Sequence, residues 1–341
     1  MTIRLSILDQ APVPEGTPQS GALANSLDLA RRAEQFGYTR YWVAEHHAMF
    51  SHAISAPEIL VAALASATST LRVGSGGVLL THYSPFKVAE TFRTLTALYP
   101  GRIDLGIGRS TGAGELEIRA LQPIPGIVGR PSIDEKVEEL RDHLARRPAS
   151  TGVQTEPLAV PLDAGTPELW LLGSSPSSAI AAGEADIDYA FAHFINPAAT
   201  RAAIGAYHRL APGRSPIVAV TAVAADTEEE AARLYSAQRA VRNRLFRNDV
   251  RPIPEPRVAL EELARHGDIL EDERFEWPRY FWGTPDRVGD QIRSLATALE
   301  VEEIVIVTTV HDHQARVHSY ELLAAEFALP ATAPALQDVT P

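Results

Sequence analysis

The chain has 341 residues, 45% hydrophobic and 22% charged, enough to bury a large core as one barrel-sized domain or two ordinary ones. A formal net charge of -12 argues against nucleic acid or an anionic membrane surface as partner and points to small molecules. Cysteine is absent, which removes disulfides, thiolate nucleophiles and cysteine-held metals from consideration.

Met1 leads into an apparent strand at 3–8, with no charged leader, no apolar signal segment and no membrane-spanning run, so a cytoplasmic protein is expected. A helical period follows through Leu23, Leu27 and Ala30. Further strand-like runs occupy 41–44, 73–80, 103–107, 169–172, 189–192, 217–223 and 304–307. Most are short apolar runs of the kind that strands buried on both faces show. Helix starts are marked by Ser132-Ile133-Asp134-Glu135 and Thr227-Glu228-Glu229-Glu230, both fitting a capping box, and by Thr284-Pro285-Asp286. A late helix carries Val288, Ile292, Leu295 and Leu299, and the last one Val317, Tyr320, Ala324 and Phe327.

Eight strands alternating with helices predict a (β/α)8 TIM barrel, with a doubly wound open sheet as the rival. The polar residues favour the barrel. Glu45-His46-His47, Thr81 to Ser84, Gly108-Arg109-Ser110, Gly173-Ser174-Ser175, His193 with Asn196, and His311 with His313 each follow a strand, and only a closed barrel gathers them on one rim. One domain is expected over 1–329, with rim insertions at about 110–130 and 248–281 and a flexible tail at 330–341.

Tyr41 to His47 ends a buried strand on a carboxylate and two imidazoles, groups suited to moving protons. Adjacent residues on extended backbone face opposite sides, so only one of His46 and His47 can face the barrel mouth. Gly74-Ser75-Gly76-Gly77 places three glycines inside a strand; a flat ligand against bare backbone and a β-bulge are equal readings. Gly173-Ser174-Ser175-Pro176-Ser177-Ser178 runs into a helix and makes either an anion seat or an ordinary serine-rich cap. Arg109 suits a phosphate at that seat, or a rim carboxylate. The spacing of His311 and His313 could ligate a metal, but no second cluster matches it, so a solvated loop is the default reading and no metal is assigned.

Trp42 to His47, Val73 to Leu80 and Tyr99 to Arg109, in that order and spacing, resemble the bacterial luciferase-like flavin-dependent monooxygenases. Trp170 to Ser175 and Trp282-Gly283-Thr284-Pro285 extend the likeness over nearly the whole chain. The resemblance implies a TIM barrel that uses reduced FMN, delivered by a separate reductase, to activate O2 and oxygenate a small organic substrate, and it suggests a homodimer formed through helices flanking strands two and three. By motif position His46 would be the acid/base, a cis peptide at Gly76–Gly77 would lie under the flavin ring, and Arg109, Ser174, Ser175 and Ser177 would hold its phosphate, with Arg130 as a second phosphate ligand. Luciferase has a cysteine where this chain has Gly108, so luminescence is not implied. Three rival readings are a deazaflavin-dependent oxidoreductase on the same barrel, a metal-dependent barrel hydrolase, and a non-catalytic flavin-binding protein.

Overall fold

The computed structural model describes residues 2–112, 114–121, 131–147, 156–163, 165–269 and 274–331. Nine strands occur among them: β1 (Arg4–Asp9), β2 (Arg40–Val43), β3 (Arg72–Leu79), β4 (Ile103–Gly108), β5 (Glu168–Gly173), β6 (Asp188–Ala192), β7 (Ile217–Ala224), β8 (Tyr280–Gly283) and β9 (Glu303–Val307). Strands β1 to β7 and β9 form a closed parallel ring in which β6 pairs with β7, β7 with β9 and β9 with β1. This is the (β/α)8 barrel expected from the alternation of elements. Strand β8 is an addition to the ring: it pairs with the upper half of β7, Thr221 opposite Tyr280 through Ala224 opposite Gly283.

The helices are α1 (Gln19–Phe36), α2 (Pro57–Ala67), α3 (Pro85–Leu98), α4 (Glu115–Leu121), α5 (Ile133–Ala145), α6 (Pro176–Glu184), α7 (Thr200–Leu210), α8 (Glu228–Phe246), α9 (Pro256–His266), α10 (Pro285–Leu299) and α11 (His313–Glu326). No helix among the described residues is long and apolar enough to cross a membrane.

Apolar runs serve both faces of each strand. On β2, Tyr41 and Val43 point into the helix layer, while Trp42 joins Leu8, Trp170, Ala190, Ala219, Val305 and Val307 in a separate inner cluster. The Trp42 and Trp170 rings meet edge to face at 5.5 Å. Beside them lies a buried charge network: Asp104 accepts from Trp42 Nε1 at 2.8 Å, from Arg40 at 2.9 Å and from Arg72, while Arg40 also donates to Glu303 at 2.7 Å. These residues start their strands, so they plug the N-terminal end of the lumen and leave the other end for a site.

The capping box at Ser132 and Glu135 forms in full. At Thr227 only half forms, because the Glu230 carboxylate is taken by Arg233. Helix α10 starts at Pro285 with Thr284 as its cap residue, though without a side-chain cap bond. The buried stripe of α10 is as expected, whereas α1 buries Ala22, Ser26, Leu29, Ala30 and Ala33, with Leu23 and Leu27 only flanking it. Small side chains let α1 approach the barrel closely, and the larger leucines take the flanks. The insertion at 248–281 contains α9, whose Glu262 pairs with the buried Arg244 of α8 at 2.8 Å, and the start of β8. Part of the insertion at 110–130, including Arg130, and the tail beyond 331 lie outside the described residues.

Candidate active site

The C-terminal ends of the ring strands surround a cavity of about 520 Å³. Leu8, Trp42, Leu172, Ala190, Ala219 and Val305 supply apolar wall from six strands, and every site residue expected from the sequence, His46, Gly76, Gly77, Arg109, Ser174, Ser175 and Ser177, lines it. The volume falls in the range of ligand and cofactor pockets.

Of the two readings of the glycines in β3, the bulge is seen directly. The pairing with β4 shifts register between Gly76 and Val78, which is a bulge, and the peptide between Gly76 and Gly77 is cis. Both residues also show bare backbone to the cavity. A side chain has no room at Gly77, where an added Cβ would lie 2.6 Å from the Gly106 carbonyl oxygen, and at Gly76 it would lie 2.7 Å from Leu8 Cδ1, which would have to shift. Gly77 is therefore required by the barrel's own packing, whatever the cavity holds.

At one end of the cavity Ser175 caps α6, and its hydroxyl stands 2.9 Å from that of Ser177. Asn196 donates to the Ser174 carbonyl at 3.0 Å and steadies the turn. Arg109 borders the same end and pairs with the exposed Asp134 at 3.0 Å, so the rim-carboxylate reading is realised while the guanidinium still lines the cavity. A cation, several hydroxyls and a helix N-terminus together favour an anion.

Further round the ring, after β2, stands His46, held by its backbone N–H to the Ile54 carbonyl at 2.9 Å, with its ring 4.9 Å from that of His52. Its Nδ1 is buried and has no hydrogen-bond partner among the described residues. The ring also borders a second cavity of about 190 Å³. His47 turns away and meets Glu45 at 2.8 Å. Glu45, whose position beside the histidines suggests proton chemistry, is instead a clamp: it accepts from the Leu79 N–H at 2.9 Å and from the Tyr83 hydroxyl at 2.6 Å. With the Lys136 ammonium on the carbonyls of Leu80, Thr81 and Tyr83, it fixes the turn after β3.

Two other rim histidines are structural. His193 is fully buried between Thr200 and the Pro278 carbonyl, and His311 contacts the Glu15 carbonyl. His313 pairs with Asp28 of α1, so the two members of the HxH spacing engage different partners, and neither lines the cavity.

Burial, with His47 adding to it, pushes His46 down from 6.5 to about 4, and burial brings His193 to about 4 despite its Pro278 bond. Burial also holds His52 well below its ordinary value, with His46 adding to it. All three are neutral at pH 7. In the unfolded chain they take up protons below about 6.5, whereas in the folded chain His46 and His193 resist until about 4. Folding stability should therefore fall as pH drops from 6.5 to 4, by up to about 3 kcal/mol from His193. Unfolding midpoints across that window check this, and His193→Gln should flatten the slope.

An apolar cavity at the C-terminal mouth of a parallel barrel, lined by both an anion seat and a neutral imidazole, defines an enzyme-type TIM barrel. The chain belongs to the luciferase-like monooxygenase family, whose model matches residues 1–301. The crystal structure of apo-MsnO8 superposes with a TM-score of 0.90 at 44% identity, covering 97% of this chain and 100% of that one. A luciferase-like monooxygenase of Escherichia coli strain K12 is 35% identical over 94% of this chain and 96% of its own length. The N-acetyl-S-alkylcysteine monooxygenase of Bacillus subtilis strain 168 is 35% identical over 94% of this chain and 97% of its own length.

The sequence reading missed Gln10, Phe194 and Ile195, which border both cavities. Each follows closely on a ring strand, β1 or β6, and that position is the signal that could have found them.

Proposed function

We propose that this chain is a flavin-dependent monooxygenase that uses reduced FMN and O2 to oxygenate a small organic substrate, with a separate reductase supplying the flavin. The observation that carries this reading is the ordering of one cavity: anion seat, bare backbone at Gly76 and Gly77, neutral His46. That ordering suits a flat, phosphate-tailed cofactor. Family membership and the relatives named as monooxygenases support it.

Arg109 with Ser174, Ser175 and Ser177 would hold the phosphate, and Gly76 and Gly77 would lie against the ring system. Bound reduced flavin supplies the two electrons that activate O2. The chain's own contribution is to exclude water with Leu8, Trp42, Leu172 and Ala190, and to present His46 Nδ1 as a neutral group able to take or share a proton. The same reading has the protein act in the cytoplasm as a homodimer, for which the exposed Ile59 on α2 and Leu98 on α3 offer apolar contact.

Anaerobic fluorescence titration with reduced FMN, oxidised FMN and a deazaflavin tests the proposal. Tight binding of reduced FMN with substrate-dependent O2 consumption is expected; preference for the deazaflavin with anaerobic hydride transfer would overturn it. In the same assay Arg109→Ala should weaken FMN binding by about 10- to 100-fold, the value of a charge-assisted hydrogen bond. Riboflavin, which lacks the phosphate, should be affected little. Equal losses for the two ligands would show that Arg109 does not hold the phosphate.

A further inference from the structure

The second cavity, about 190 Å³, opens beyond His46 between the ends of the ring strands and α8. Met49, Phe194, Val241 and Leu245 give it apolar walls, and among the described residues no acidic side chain lines it. Arg242 does line it. That arginine makes no ion pair among the described residues; its charge lies over the Phe246 ring at 5.1 Å. Arg242 is half-buried; of the buried arginines, Arg40, Arg244 and Arg316 are matched with carboxylates, and Arg93 with the Pro161 and Leu144 carbonyls.

Three polar atoms around this one space are buried and lack a hydrogen-bond partner among the described residues: His46 Nδ1, Gln238 Oε1 and Arg242 Nε. A buried polar group left unpaired is costly, and three on the same small cavity mark a place where a bound molecule supplies the missing partners. A guanidinium with no carboxylate of its own fits a planar, two-oxygen anion. The apolar walls fit a short alkyl or aryl chain.

We infer that this cavity is the substrate seat and that Arg242 selects small organic molecules bearing a carboxylate, with Gln238 bonding a polar group of the same molecule and His46 at the junction with the cofactor cavity. The inference rests on the monooxygenase reading for its catalytic meaning, but the binding selectivity is independent of it. Sequence inspection does not show it, because Gln238 and Arg242 lie on a helix of ordinary amphipathic period and reach the site only through the packing of α8.

Calorimetric titration of the full chain, alone and saturated with FMN, with hexanoate and its neutral analogue hexanamide, tests the assignment. The native protein should bind hexanoate at least tenfold more tightly, and Arg242→Gln should erase that preference with FMN affinity unchanged. Leu245→Trp fills the same space and keeps the charge; it should block hexanoate and spare FMN, and it serves if the Arg242 variant does not fold. No preference in the native protein, binding of neither probe, or a preference that survives Arg242→Gln overturns the assignment. Hexanoate preference without any flavin binding would instead overturn the proposed function and leave the seat standing.

Discussion

Replacing His46 with alanine should lower kcat by about 100-fold or more, the usual worth of a positioned acid/base group, while changing the affinity for reduced FMN by no more than about threefold. The division follows from position. His46 borders both cavities and follows β2, whereas the anion seat is built after β4 and β5, so it stands where a substrate and a cofactor would meet and apart from the groups that would hold the phosphate. Burial, with His47 adding to it, sets its pKa at about 4, so the ring is neutral at pH 7 and its unpartnered Nδ1 is free to engage a reacting group. Activity that needs the neutral ring should hold between pH 6 and 8 and decline on an acid limb as the pH approaches 4. His46→Gln can keep a hydrogen bond but cannot take a proton, so it should lose kcat as alanine does and lose the limb with it. An unchanged kcat in both variants would remove His46 from the chemistry and return it to the class of packed structural histidines that His193 occupies.

The contrast between His46 and His193 shows where sequence reading reaches its limit. Both follow a ring strand and both read as rim histidines, yet His193 is sealed between Thr200 and Pro278. What separates them is β8, a four-residue strand behind Pro278 that a scan for apolar runs leaves within the rim insertion. The ring strands were legible because each combines a short apolar run with a flanking helical period, and the order of their C-terminal ends brought His46, Gly76, Gly77, Arg109 and the serines together on paper as in the structure. Glu45 was misread because its partners, the Leu79 N–H and the Tyr83 hydroxyl, belong to another strand and the turn after it. Asp9 and Asp104 show the same limit: a carboxylate in or at the end of an apolar strand is visible in the sequence, but the cation that makes its burial tolerable is not, since Arg316 lies 307 residues from Asp9.

Asp9→Ala should destabilise the fold by about 3–5 kcal/mol, the loss expected when one member of a buried ion pair is removed and the other is stranded. The Asp9 carboxylate accepts from the Arg316 guanidinium at 2.5 Å, from the Tyr41 hydroxyl at 2.5 Å and from the Ala11 N–H at 2.7 Å, and it is fully buried. Burial works against its ionisation, but the Arg316 charge and the hydrogen bonds from Ser26, Tyr41 and Ala11 prevail and hold it below the usual carboxylate range. Arg316, equally enclosed, keeps among the described residues only the Thr308 carbonyl once Asp9 is gone. If the penalty is a stranded charge, Asp9→Leu combined with Arg316→Met should be less destabilised than the sum of the two single changes, because no ion is then left without a partner. Urea unfolding of the four proteins measures this, and a loss below 1 kcal/mol for Asp9→Ala would show that water reaches the pair. The site should respond as well. Asp9 ties down the turn that carries Gln10, which lines both cavities, and Ala11, whose φ is +44°. Even below its unfolding temperature, Asp9→Ala should therefore bind hexanoate and reduced FMN more weakly than the native protein, linking the stability of the barrel wall to the shape of the site it supports.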